Sequence, residues 1–474
     1  EIMKYDDPIP AGVFTERFLL TGRPEEEENM KKHLKIFVSF ALLSWLVFLG
    51  APALGAQAFG FGDSEEEPEG AAAGAGPASI GAVVGGELSF SFLGFPEELF
   101  DGNFTNSTVL PAAALFLNAS GSKVEAHVAL KLDEDLLVNR PGDILDEAWL
   151  RIFSGQTIIQ GGLMRLTWGR ADSLSVLDIL NPKDSSDLTL RDEQERKIPV
   201  PMLRVNQGLG AGLTAELAYL PWFEGNRIAM SGPWVASQMK PFVSATFNTP
   251  ATKSFDYGQA GLRLNASLSG FDLGTQYFYG RLTTPYIDTT DAAMYLLGVP
   301  GTTIDLGYNP YHQIGADAAF VLGGFNLRLE AGINLTEDSA GTDPLVYNQH
   351  IVWSAGFDRD LFAGINLNFQ SSGKVRLRHD KITSPLDIES GTDITSTQLA
   401  ALLSRPFLRD RLKVELLGIL GAEKLDYMIE PGLVLSVGDA EIALRGRYFG
   451  GDSAGELGQF NDKSYISLSS KYKF

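Results

Sequence analysis

The sequence predicts an all-β fold, a transmembrane antiparallel β-barrel of about 18 strands, with short periplasmic turns and long extracellular loops. Sixteen strands is the alternative count. Three observations predict it. Segments of about ten residues alternate apolar and polar from residue 79 onward. Connections alternate between very short and long. The last segment places Ile466, Leu468, Ser470, Tyr472 and the terminal Phe474 on one face.

The N-terminal part reads differently. Residues 36–49 form one apolar run, too short to span a bilayer, which takes about 20 residues. Lys31, Lys32 and Lys35 sit at its start, and Ala51-Pro52-Ala53-Leu54-Gly55-Ala56 follows it. A basic start, an apolar middle and a small-residue end predict a secretory signal peptide over 30–57. Residues 1–29 are then expected to be upstream translation. Residues 58–78, an acidic run followed by Ala and Gly, read as a disordered linker.

The 474 residues hold 38 Lys and Arg against 59 Asp and Glu, a net charge of −21, and no Cys. So acidic a chain does not hold a phosphate backbone over a broad surface, so no nucleic-acid partner is expected. The lack of Cys excludes disulfide scaffolds, thiol catalysis and thiolate metal sites.

Within 79–474, Phe325, Leu327, Leu329, Ala331, Ile333 and Leu335 share one face, and Asn326, Arg328, Glu330, Gly332 and Asn334 the other. Successive strand side chains point to opposite faces, so each strand has an apolar and a polar side. Leu262, Leu264 and Ala266 oppose Arg263, Asn265 and Ser267 in the same way. Eight short turns are expected, at 120–122, 154–155, 208–210, 269–270, 323–324, 358–360, 409–410 and 438–439. Each joins two strands, and a first and a last strand complete the ring. Long connections are expected at 169–197, 221–257, 282–309 and 370–392. Aromatic trios near strand ends, Tyr219/Trp222/Phe223, Tyr277/Phe278/Tyr279 and the pair Tyr448/Phe449, suggest an interfacial girdle.

If the apolar faces meet lipid, the polar faces line the interior. Arg151, Arg165, Arg204, Arg263, Arg328, Lys374, Arg376, Arg378, Lys413, Arg445 and Arg447 are expected there, with fewer acids: Glu216, Glu330, Glu415 and Glu441. A cationic wall would favour anions. Alternatively, these residues pair with carboxylates and brace the wall.

The third long connection is densest in signal. Trp168, Gly169, Asp172, Asp178, Asn181, Pro182, Asp184, Arg196 and Pro199 are its candidate constriction residues. Residues 174–180 are read as a short helix ended by Asn181-Pro182. A loop with both charge signs could fold into the lumen and set a size limit, or lie solvated outside. Its stretch "WGRADSLSVLDILNPKD" followed by "ERKIPVPMLRVN" resembles a functionally uncharacterised family of Gram-negative and spirochaete outer-membrane proteins. There a W-G-x-x-D…D-x-x-N-P-x-D pattern precedes an I-P-containing strand. "LPWFEGNRIAMSGPW" is similar to a later stretch of the spirochaete members. The resemblance covers about residues 150–240. It implies an outer-membrane barrel and, by association only, transport of lipid-like or other apolar cargo.

Tyr472 and Phe474 resemble the terminal signal that the barrel-assembly machinery of bacteria reads. Chemistry finds no foothold. Gly451-Asp452-Ser453-Ala454-Gly455 matches G-x-S-x-G but lacks the strand–turn–helix context that motif needs. His127, His312, His350 and His379 are scattered with no metal spacing. No enzyme, cofactor or metal is expected. The expected partners are outer-membrane lipids, the assembly machinery and small-molecule solutes. The functional expectation is a channel for small solutes with an anion preference. A transporter of hydrophobic or lipid-like cargo and a surface adhesin are the alternatives.

Overall fold

The computed structural model describes residues 81–102 and 105–474. The expected upstream segment, signal peptide and linker lie outside the described residues. Among the described residues, eighteen strands form one closed antiparallel barrel. They are β1 (Gly81–Gly94), β2 (Thr108–Ser120), β3 (Val124–Asp133), β4 (Leu145–Ser154), β5 (Thr157–Met164), β6 (Val200–Gly210), β7 (Leu213–Leu220), β8 (Gln259–Leu268) and β9 (Phe271–Arg281). Then follow β10 (Pro310–Leu322), β11 (Phe325–Thr336), β12 (His350–Asp360), β13 (Asn366–Arg376), β14 (Thr395–Phe407), β15 (Leu412–Gly421), β16 (Asp426–Val437), β17 (Ala440–Gly450) and β18 (Tyr465–Lys473). Each strand pairs with the next, and β1 also pairs with β18 from Glu87↔Lys473 to Gly94↔Ile466. Closure removes the open sheet edges that hydrocarbon could not satisfy.

The alternation sorts the two faces. On β8, Leu262 and Leu264 are 46% and 45% exposed, whereas Arg263 between them is 5% exposed. Exposed Leu, Ile and Val recur on the outer face of every strand but β13, from Leu115 on β2 to Leu468 on β18. Such a belt is stable only where hydrocarbon covers it.

The aromatic trios divide between the faces. Tyr219, Tyr277, Tyr279 and Tyr448 point outward, but Phe223, Phe278 and Phe449 are buried. On β9 and β17 the two-residue period turns Phe278 and Phe449 inward, so on these two strands only the tyrosines of the clusters contribute to a girdle. His312 joins that outer layer, with its Nδ1 2.7 Å from the Tyr277 hydroxyl.

Two of the expected turns move. Asp358–Asp360 is strand, paired with Asn326 and Asn368, and the turn falls at 361–365. Gly208 and Gly210 end β6 around a bulge, and the turn is Ala211-Gly212. The connection expected from 370 begins only at 377, because β13 continues through Arg376.

Candidate functional site: a loop held inside the barrel

Residues 165–199 leave β5 and return to β6 after crossing the interior. The base of this loop is built first. Asn181 accepts from the Leu166 amide (2.9 Å) and donates from Nδ2 to the carbonyls of Met164 and Ile198. The Ile198 amide donates to the Pro182 carbonyl at 2.8 Å. Lys197 places its ammonium 2.6 Å from Asp178, and both side chains are almost wholly buried. Pro199 ends the loop one residue before β6.

From that base one arm docks on the β7–β13 wall. The Trp168 ring lies against Gly261, and its Nε1 donates to Glu216 at 2.6 Å. Glu330 on β11 then accepts from the amides of Arg170, Ala171, Val176 and Leu177 at 2.6–3.2 Å, and from the Ser175 hydroxyl. Gln370 on β13 accepts from the amides of Ser173 and Leu174. Asp172 meets Arg328 at 2.9 Å and Asn368 at 2.7 Å. Leu177 is fully buried against Gly315 and Gly332, which are paired across β10 and β11. A side chain at either glycine would fill that notch. The helix expected at 174–180 is absent, and the amides of Leu174, Val176 and Leu177 go instead to wall side chains. The loop's own helix is Glu193–Arg196.

The second arm reaches the β15–β18 wall. Arg191 pairs with Glu415 and sits 3.4 Å from Glu430. The Leu188 carbonyl accepts from Arg447, and Glu195 lies 3.1 Å from Lys471. Asp184 stays near the rim with Arg140 (3.4 Å) and Arg227 (3.6 Å). Arg196 contacts the Ser185 hydroxyl at 3.4 Å, and its Nε has no hydrogen-bond partner among the described residues.

Eight of the basic positions expected in the lumen are ion-paired: Arg151–Glu125, Arg165–Asp146, Arg204–Glu216, Arg263–Asp317, Arg328–Asp358, Arg376–Glu389, Arg445–Glu415 and Arg447–Glu430. Lys413 also lies 3.4 Å from Glu415. Lys374 faces inward without an ion pair among the described residues. Arg378 does not belong to this set. It lies beyond the end of β13, exposed, in a left-handed conformation at the start of a 3-10 turn. Arg165 sits one residue past β5, at the loop's root.

The wall carries more acid than the sequence reading counted. Asp317 and Glu430 share the inward face with Gln313 and Met428. Asp358 was hidden by its assignment to a turn. Strict two-residue counting along β10 and β16 would have found the first two.

A second inward segment comes from residues 221–258, between β7 and β8. Trp234, Val235 and Met239 pack with Phe95, Met428, Phe449, Phe460 and Tyr465, on the β16–β18 side of the ring. Trp234 stacks edge-on to Phe460 and Tyr465, with centroids 5.9 and 5.7 Å apart. The stretch from Leu220 to Trp234 carries part of the family resemblance, but nothing in it points to packing inside the ring.

A family model described as "Protein of unknown function (DUF1302)" matches residues 162–391, which include the whole inward loop from Arg165 to Pro199. No curated protein matches the chain. Among solved structures, the chain is similar to OccAB3 of Acinetobacter baumannii, with TM-score 0.46, 10% identity, and coverage of 83% of this chain and 99% of that one. A BenF-like porin from Pseudomonas fluorescens Pf-5 gives TM-score 0.46 and 12% identity, over 83% of this chain and 98% of that one. OmpF of Salmonella typhi gives TM-score 0.40 and 10% identity, over 83% and 97%.

Proposed function

We propose that the chain is an integral outer-membrane channel for small solutes whose constriction is the inward loop 165–199. One observation carries this reading. The Glu330 carboxylate, on β11 and five strands round the ring from β6, binds four loop amides and fixes the loop inside the bore. A closed ring of this strand number is wide enough for an aqueous lumen, and a fixed loop narrows it. Polar, ion-paired walls suit a hydrated solute. Because the lumen arginines are neutralised by carboxylates, they act first as braces, and any anion preference rests on unpaired charge such as Lys374. In this reading Tyr472 and Phe474 are the assembly signal, and the protein is exported through a cleaved signal peptide.

Planar-bilayer recording of the refolded mature protein tests it. Stable single-channel conductance, smaller than that of an unobstructed barrel of this size, is expected. Absence of conductance under all polarities would sink the channel reading.

A further inference from the structure

The short turns of the barrel differ in charge. Those at 121–123, 155–156, 211–212, 269–270, 323–324 and 438–439 hold one basic residue, Lys123. The turn at 408–411 holds Arg409 and Arg411, and Arg405 approaches it on the outer face of β14, in alternation with exposed Leu403. Arg359 lies beside the neighbouring turn at 361–365, on the outer face of β12, in alternation with exposed Ile351. Each of these two outward guanidiniums sits over a ring, Arg359 4.2 Å from the Phe325 centroid and Arg405 4.7 Å from that of Phe407. Neither has an ion pair among the described residues. The acids beside them turn the other way: Asp358 pairs with Arg328 and Glu415 with Arg445, both inside the ring, and Asp360 accepts from Asn366. A ring face holds a cation in place but leaves its charge uncancelled.

An apolar path runs from these cations along the outer wall. Phe325 packs on Phe357 with centroids 5.3 Å apart, and Phe357 on Phe369 at 5.7 Å. Phe369 in turn lines a groove of about 290 Å³ with Leu399, Ala401, Gly418, Leu420 and Ile429. Phe369, Ala401 and Gly418 form one row across β13, β14 and β15. Ala401 shares a face of β14 with Arg405, four residues away, or about 13 Å along the strand. The acyl chains of one leaflet fill half of the hydrocarbon core, about 15 Å. A lipid with its phosphate at the arginines therefore reaches the groove with its chain. Arg359, Leu367 and Leu403 form another row, and Arg405 stands two residues beyond it. Strand spacing and rise put the two arginines roughly 12 Å apart at Cα, near enough for both side chains to meet one phosphate.

We propose that Arg359 and Arg405 bind the phosphate of an anionic phospholipid in the leaflet at the short-turn end, and that its acyl chain runs over Phe357 and Leu403 into the groove at Ala401 and Gly418. The occupant follows from charge and place. Guanidiniums supply the paired donors that a phosphodiester accepts, and the groove lies within the belt that hydrocarbon covers. A zwitterionic head group brings an ammonium that two arginines repel, so a lipid of net negative charge is preferred. The site requires a barrel in a bilayer but no aqueous conductance, so bilayer recording and the test below can fail independently.

The test uses the full mature protein, delipidated in detergent and titrated separately with dioleoylphosphatidylglycerol and dioleoylphosphatidylethanolamine. Native mass spectrometry counts the bound lipid. Wild type is expected to bind its first phosphatidylglycerol about 30-fold more tightly than phosphatidylethanolamine. Arg359→Gln/Arg405→Gln should bind the two lipids alike, whereas Lys123→Gln should keep the wild-type preference. Gly418→Leu fills the groove, where an added Cβ meets no heavy atom within 4 Å, and should weaken binding at unchanged charge. Should the double variant not assemble, Arg359→Gln and Arg405→Gln taken singly should each lose part of the preference. Equal affinities for the two lipids in wild type overturn the site. So does a preference that survives loss of the arginines, and wild-type binding by Gly418→Leu overturns the acyl path.

Discussion

The Glu330 carboxylate occupies the space that a side chain at Gly169 would need. Gly169 has φ +89°, and a Cβ built there falls well inside contact distance of Glu330 Oε1. One residue thus closes the loop turn and lets a wall carboxylate reach the amides of Arg170 and Ala171 that follow it.

Gly169→Ala should therefore free the loop's first arm. The backbone conformation alone costs roughly 1–2 kcal/mol for an L-residue, and the collision with Glu330 adds to it. Limited proteolysis of folded protein should cut within 165–199 faster than in wild type, while the barrel keeps its heat-resistant migration on gels. Unchanged protection would show that Glu330 does not hold this turn.

The Lys197–Asp178 pair offers a second handle on the loop. Both side chains are almost fully buried, 2.6 Å apart. Asp178→Asn leaves a buried ammonium without its counter-charge, a loss of about 3–5 kcal/mol for pairs of this kind. The double variant Asp178→Asn/Lys197→Met should recover most of the loss. Hydrogen exchange of the 165–199 amides measures both. Equal loss in the single and double variants would place the stability elsewhere.

Loop 337–349 should respond to acid in a defined direction. Asp338 accepts from the amides of Ala340, Gly341, Thr342 and Asp343. These bonds hold its carboxyl below the usual carboxylate range. A depressed folded-state pKa contributes stability that is full above the unfolded pKa and fades as pH falls through the folded one. Amide protection of 340–343 should thus be constant through neutral pH and fall only in strong acid. Asp338→Ala should lose it at every pH. Protection that fades near neutrality would contradict the assignment.

At the seam, Phe474 exchanges two backbone hydrogen bonds with Gly86, at 2.9 and 3.0 Å. A Cβ at Gly86 would meet the Phe474 ring. Deleting Phe474 removes both bonds and the terminal aromatic, and should lower the fraction of chains inserted in cells. Gly86→Leu should lower it too, since a Cβ there meets both the Phe474 ring and the Ala114 carbonyl. Equal insertion for all three would separate the terminal residue from assembly.

The ring itself was legible because period-two patterning needs no knowledge of partners. Leu262/Arg263/Leu264 reads the same in the sequence and in space. Turns were legible where glycine adopts positive φ, as at Gly270 and Gly438. They slipped where a strand continued through polar residues, as at Asp358-Arg359-Asp360. The inward loop was legible as dense in motif residues, but its anchors were not. Glu330 lies about 160 residues from the amides it binds, and nothing local marks it as more than one wall carboxylate among several. Of the two readings of the basic wall, a cationic lining and a carboxylate-paired brace, the second has partners that the sequence does not name. Counting arginines strand by strand misses partners such as Asp317 and Glu430 on other strands, and Glu389 in a loop.

The central claim is that loop 165–199 is the constriction, held by Glu330 and Gln370. Single-channel conductance of Glu330→Ala/Gln370→Ala against wild type, in the same salt, tests it most directly. The account predicts a larger and noisier conductance in the variant, with the assembled barrel intact. Identical conductance and noise in the two proteins would contradict it.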